Sequence, residues 1–102
     1  MMLTHGRIEE RSILLHRVIA QRVSENPALL DAARANLRRW VGRDGGRLYW
    51  TEWENMLKGS LDDLLAFMVS PSEKARRLRQ SSPFCGILTP RERWKIYESF
   101  AT

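Results

Sequence analysis

Three prolines in this chain stand directly behind a residue that caps helices and directly ahead of helix-forming sequence: Asn26-Pro27, Ser70-Pro71 and Thr89-Pro90. Proline at the first helical position has its φ pre-set and lacks only an N–H that would be unpaired there anyway. The Asn, Ser or Thr before it offers an oxygen to the open N–H groups of the first turn. Two of the three starts also carry Glu at the third helical position, Glu73 and Glu92, which completes a reciprocal cap. No stretch alternates apolar and polar residues as a half-buried strand does, and the β-branched residues are scattered. The sequence therefore predicts an all-α fold.

Hydrophobic spacing supplies the remaining helices. Ile8, Leu15, Ile19 and Val23 form a stripe, widened by Leu14 and Val18, for a first helix over residues 7–24. The second, begun at Asn26, turns Leu29, Leu30, Ala33, Leu37, Trp40 and Val41 inward. Arg34, Arg38 and Arg39 lie elsewhere on it, toward the C-terminal half, where they suit the negative end of the helix dipole. Gly42 and Asp44-Gly45-Gly46 mark a loop. A short third helix over residues 48–58 has Tyr49, Trp50, Trp53, Met56 and Leu57 on its apolar face. Gly59 closes it, and Ser60 caps a fourth carrying Leu61, Leu64, Leu65 and Met68.

The fifth helix is basic, with Lys74, Arg76, Arg77 and Arg79 around Ala75 and Leu78. The sixth carries Trp94, Ile96, Tyr97 and Phe100. Between them, residues 81–86 read as an ordered loop, because Phe84, Ile87 and Leu88 are too apolar to sit in water as a group. At 102 residues this is one helical domain over residues 7–102, of five or six short helices, behind a frayed N-terminus over residues 1–6. Trp40, Trp53, Leu37 and Leu64 are the expected core.

The chain offers little chemistry. His5 and His16 are eleven residues apart and Cys85 is remote from both, so no metal site is expected. Cys85 reads as a small buried hydrophobe and His16 as a boundary residue. Asp62 and Asp63 are adjacent and so diverge on a helix, where they serve its N-terminus. No phosphate loop or nucleophile motif is present. The sequence predicts a non-enzymatic protein with no cofactor. It has no signal-type or membrane-length apolar run, and the cytoplasm is the expected compartment.

A formal net charge of +5, carried mostly by Arg, favours an anionic partner, although a GC-rich genome also writes Arg freely. Nucleic acid is the alternative to a protein partner. A helix-turn-helix forced over residues 56–80 would lead its second helix with Asp62 and Asp63, which argues against presenting it to phosphates. The basic fifth helix is the better candidate.

Four segments together carry a resemblance. They are Ala35-Asn36-Leu37-Arg38-Arg39-Trp40, the run Trp50-x-x-Trp53-x-x-Met56-Leu57-x-Gly59, then Leu78-Arg79-Gln80-Ser81-Ser82-Pro83-Phe84, and finally Leu88-x-x-Arg91-Glu92-Arg93. Over residues 13–100 the chain resembles a group of small bacterial proteins whose short genes stand beside toxin-like genes. The resemblance implies an antitoxin or regulator of a two-gene operon, which neutralises a separately encoded toxin by binding it. Arg and aromatic residues dominate interface hot spots. The expected partner-binding residues are therefore Arg76, Arg77, Arg79, Gln80, Ser81, Ser82, Pro83 and Phe84, supported by Arg34 and Arg38. The same segment would equally serve to cap the fifth helix and pin the loop to the core with Phe84 buried. Association of the chain with itself stays open.

Overall fold

The computed structural model describes residues 5–44 and 48–99, and among these it contains α-helices and short 3-10 turns and no strand. The helices are α1 (His5–Glu25), α2 (Leu30–Asp44), α3 (Leu48–Lys58), α4 (Leu61–Met68), α5 (Glu73–Arg79) and α6 (Pro90–Glu98). Pro27–Leu29 and Cys85–Ile87 form 3-10 turns. The all-α single domain expected from the sequence is what forms. Its radius of gyration, 13.6 Å, is close to the ~13 Å of a compact chain this long.

The caps explain most boundaries, with two corrections. Thr89 Oγ1 accepts from Glu92 N and the Glu92 carboxylate accepts from Thr89 N, so the predicted capping box is complete. Ser60 accepts from Asp63 N, as expected. At α5 the cap is Ser72, not Ser70: Ser72 Oγ accepts from Ala75 N, while Ser70 Oγ accepts from Ser72 N one step earlier. The helix starts two residues later than predicted because the second serine offers the better-placed oxygen. Asn26 makes no side-chain cap, and Pro27 opens a 3-10 turn that widens into α2 only at Leu30.

Two further expectations give way. Helix α1 already includes His5 and Gly6, so the frayed start does not extend that far; residues 1–4 lie outside the described residues. Gly42 does not break α2, which runs on to Asp44. Residues 45–47, the side chains of Asp44, Leu48 and Tyr49, and Phe100 lie outside the described residues.

The core gathers one face from most elements. Leu15, Ile19 and Val23 of α1 meet Leu30, Ala33 and Leu37 of α2, with Trp50, Trp53 and Leu57 of α3, Leu64 and Met68 of α4, and Leu78 of α5. Trp53 is enclosed and its ring lies edge-on to Phe67 (5.7 Å) and Phe84 (5.0 Å). Its indole N–H donates to the Leu78 carbonyl at 2.9 Å, so the one polar atom of that ring is paired. Trp53, Leu37 and Leu64 are core residues, as expected. Trp40 is only half-buried, tilted against Trp50 at 5.8 Å on the rim. Ile8, assigned to the inward stripe, is 43% exposed, because that end of α1 overhangs the core. His16 is 1% exposed and so is a core residue, not a boundary one.

Candidate functional site

The segment expected to meet a partner turns inward. After α5 the chain crosses the core, and Phe84, at 0% exposure, stands edge-on to Trp53 and to the His16 ring (6.4 Å). Pro83 is buried beside it, and its carbonyl accepts from Asn36 Nδ2 of α2 at 3.0 Å. Arg79 is 4% exposed; its Nη1 donates to the carbonyls of Met68 (3.2 Å) and Ser70 (2.7 Å) and so ties the end of α4 to α5. Arg79, Pro83 and Phe84 are therefore removed from the surface expected to meet a partner. Phe84 and Pro83 follow the apolar pull of the loop. Arg79 can follow because two carbonyls accept from its Nη1 and the Glu9 carboxylate stands 3.6 Å from its Nη2.

His16 accounts for the rest of that anchorage. Its Nδ1 lies 2.7 Å from the Ser12 carbonyl, which fixes Nδ1 as the donor. Nε2 then accepts from Ser82 Oγ at 2.8 Å, and Ser82 Oγ in turn accepts from Phe84 N at 3.2 Å. Burial lowers the His16 pKa to about 4, and neighbouring Arg79 adds to the effect against the Ser12 bond, so the ring is neutral at pH 7. Burial also raises the Cys85 thiol above its ordinary value, which leaves it protonated. The adjoining Arg93 side chain donates to the carbonyls of Cys85 and Leu88 and holds the second 3-10 turn.

Arg76 and Arg77 of α5 face carboxylates of neighbouring helices. Arg76 Nη1 meets Glu9 of α1 at 3.1 Å, and Arg77 Nη2 approaches Glu52 of α3 at 3.8 Å. Both side chains remain over half exposed, so these pairs are screened and contribute little. Gln80, Ser81 and Ser82 line an open groove of about 270 Å³ with Trp40, Arg43 and Trp50.

Arg34 and Arg38 behave differently. They flank a groove of about 230 Å³ between α2 and α3, floored by Leu37 and Leu57 and edged also by Glu54 and Lys58. Arg34 pairs with Asp31 at 3.0 Å on its own helix, an exposed contact of small value. Arg38 and Lys58 are exposed. The arrangement is an apolar floor with three cations and one carboxylate above it. Lys58 and Leu57 were not among the expected partner residues, because nothing in the linear sequence brings α3 beside Arg34 and Arg38. The signal available was the basic last turn of α3 and its apolar stripe.

Among the described residues no three His, Cys, Asp or Glu side chains gather as a metal site would require. No described helix is long and apolar enough to cross a membrane. Comparison with family models, curated proteins and solved structures finds no match.

Proposed function

We propose that this chain works by binding a protein partner, not by catalysis, and that it acts as the antitoxin of a two-gene pair. The observation that carries the binding reading is the groove between α2 and α3. The nearly buried Leu37 and Leu57 form its apolar base, the aliphatic stems of Arg34, Arg38 and Lys58 line its sides, and their cations ring it beside the Glu54 carboxylate. Apolar centres with charged rims are the usual anatomy of a specific interface. The partner segment it fits is acidic and amphipathic, with an aliphatic or aromatic anchor. Residues near the Ser–His pair support binding over catalysis in a second way. Ser82, His16 and Phe84 N satisfy one another, and a histidine with a pKa of about 4 is a weak base at neutral pH. The antitoxin role itself rests on the resemblance to short genes beside toxin-like genes.

Co-expression with the adjacent gene tests this. The neighbour is expected to arrest growth alone, to be harmless with this chain present, and to co-purify with it. A neighbour that is harmless alone, or that stays toxic and does not co-purify, removes the antitoxin reading. If the chain instead shifts DNA with steep salt dependence, a basic DNA-binding regulator takes its place.

A further inference from the structure

Arg79 is held by one side of its guanidinium only. Nη1 donates to the Met68 and Ser70 carbonyls, but Nε and Nη2, both buried, make no hydrogen bond. These two nitrogens form the side-on edge of the guanidinium, the fork whose parallel N–H groups match the two oxygens of a carboxylate or phosphate. The nearest anion is Glu9, whose Oε1 stands 3.6 Å from Nη2, outside hydrogen-bond range. The other oxygen of Glu9 is held by Arg76 at 3.1 Å. Glu9 therefore faces Nη2 without satisfying it, and Nε has no hydrogen-bond partner. Buried donors left in this state are uncommon in folded proteins and call for an acceptor.

The space beside Arg79 and Glu9 is of ligand size. A cavity of about 240 Å³ is lined by Arg79, Arg76, Glu9, Ser12, Gln80 and Ile8. A second of about 310 Å³ shares Ile8, Ser12, Arg79 and Gln80 with it and extends to Arg11 and Tyr97. Arg11, Arg76 and Arg79 against Glu9 give the cleft an excess of two positive charges (three minus one). The Arg11 guanidinium is stacked over the Tyr97 ring at 4.6 Å, which holds both at the mouth. Ile8, left 43% exposed, and Tyr97 form an apolar wall.

We propose that this cleft binds a small organic oxyanion, with its carboxylate or phosphate on the Nε/Nη2 edge of Arg79 and its apolar body against Ile8 and Tyr97. The incoming group displaces the Glu9 carboxylate, which swings toward Arg76 and solvent. Ser12 and Gln80 supply further polar contacts. The site shares no lining residue with the groove between α2 and α3, so it stands or falls separately from the partner reading.

The test is a titration of the full-length, ¹⁵N-labelled chain with inorganic phosphate and, separately, with phenyl phosphate, following the Arg79 Nε–H resonance. Both are expected to shift it saturably, together with the backbone amides of Ser12 and Gln80. Phenyl phosphate should bind about tenfold more tightly, because only it uses the apolar wall. Glu9→Gln removes the competing carboxylate and should tighten both. If the Arg79 Nε–H is unmoved by millimolar concentrations of either anion in wild type and Glu9→Gln alike, the site does not exist. Equal affinity for the two anions overturns the apolar half of the proposal.

Discussion

Phe84 and His16 show how single residues turn a polar-looking segment inward. Phe84→Ala removes a fully enclosed ring that packs edge-on against Trp53, and is expected to cost ~3–5 kcal/mol in urea unfolding. Gln80→Ala, four residues earlier and exposed, should change stability by less than ~0.5 kcal/mol. Equal effects would mean that Phe84 is not in the core. His16 makes stability depend on pH. Its pKa is lowered by burial to about 4 from the ordinary 6.5, so between those values the unfolded chain binds a proton that the folded chain refuses. Its contribution is complete above pH 6.5 and is lost as pH falls toward 4. The expected loss between pH 7 and pH 5 is ~2 kcal/mol, and His16→Gln should abolish that slope. Glu92, held down to about 2 first by its hydrogen bond from Arg22 and then by its bond from the Thr89 backbone, acts lower. Its support is present above the ordinary carboxylate range and fades only as pH falls toward 2.

Among the elements, caps decide where helices begin, and they can be ranked. Thr89→Ala removes half of a complete capping box and is expected to cost ~1 kcal/mol, as is Ser72→Ala. Asn26→Ala should cost a few tenths at most, since its side chain caps nothing. Thermal denaturation of the three variants checks the order, and Asn26→Ala as the most damaging of them would contradict it. Helix types and most boundaries were legible in the sequence because proline, capping residues and apolar stripes act locally. The Ser70 and Asn26 assignments failed for a local reason as well: two candidate serines stand two residues apart, and a 3-10 turn can intervene between cap and helix. What no local rule reveals is the burial of Arg79. Its charge reads as surface, and the groups that receive it come from elsewhere in the chain: the Met68 and Ser70 carbonyls at and just past the end of α4, and the Glu9 carboxylate of α1. His16 was misread likewise, since its acceptor Ser12 is one turn away but its donor Ser82 is 66 residues along the chain. Three of the ten expected partner residues, Arg79, Pro83 and Phe84, are withdrawn into the core, while Arg34 and Arg38 stay outside because their own helix turns them to water.

Across the whole molecule, three arginines of α5 face carboxylates of neighbouring helices, and Arg38 of α2 and Lys58 of α3 stand exposed at the groove between those two helices. Arg76 and Arg79 face Glu9, and Arg77 faces Glu52, whereas Arg38 and Lys58 stand over the apolar floor of Leu37 and Leu57. The partner reading therefore predicts a separation of effects. Arg38→Glu combined with Lys58→Glu changes two exposed side chains and should leave the melting temperature within a few degrees of wild type. The most direct test is the affinity of that doubly reversed protein for the product of the adjacent gene. A loss of about tenfold or more with the fold intact is expected, because like charges then face the acidic segment. Wild-type affinity in the doubly reversed protein would contradict it.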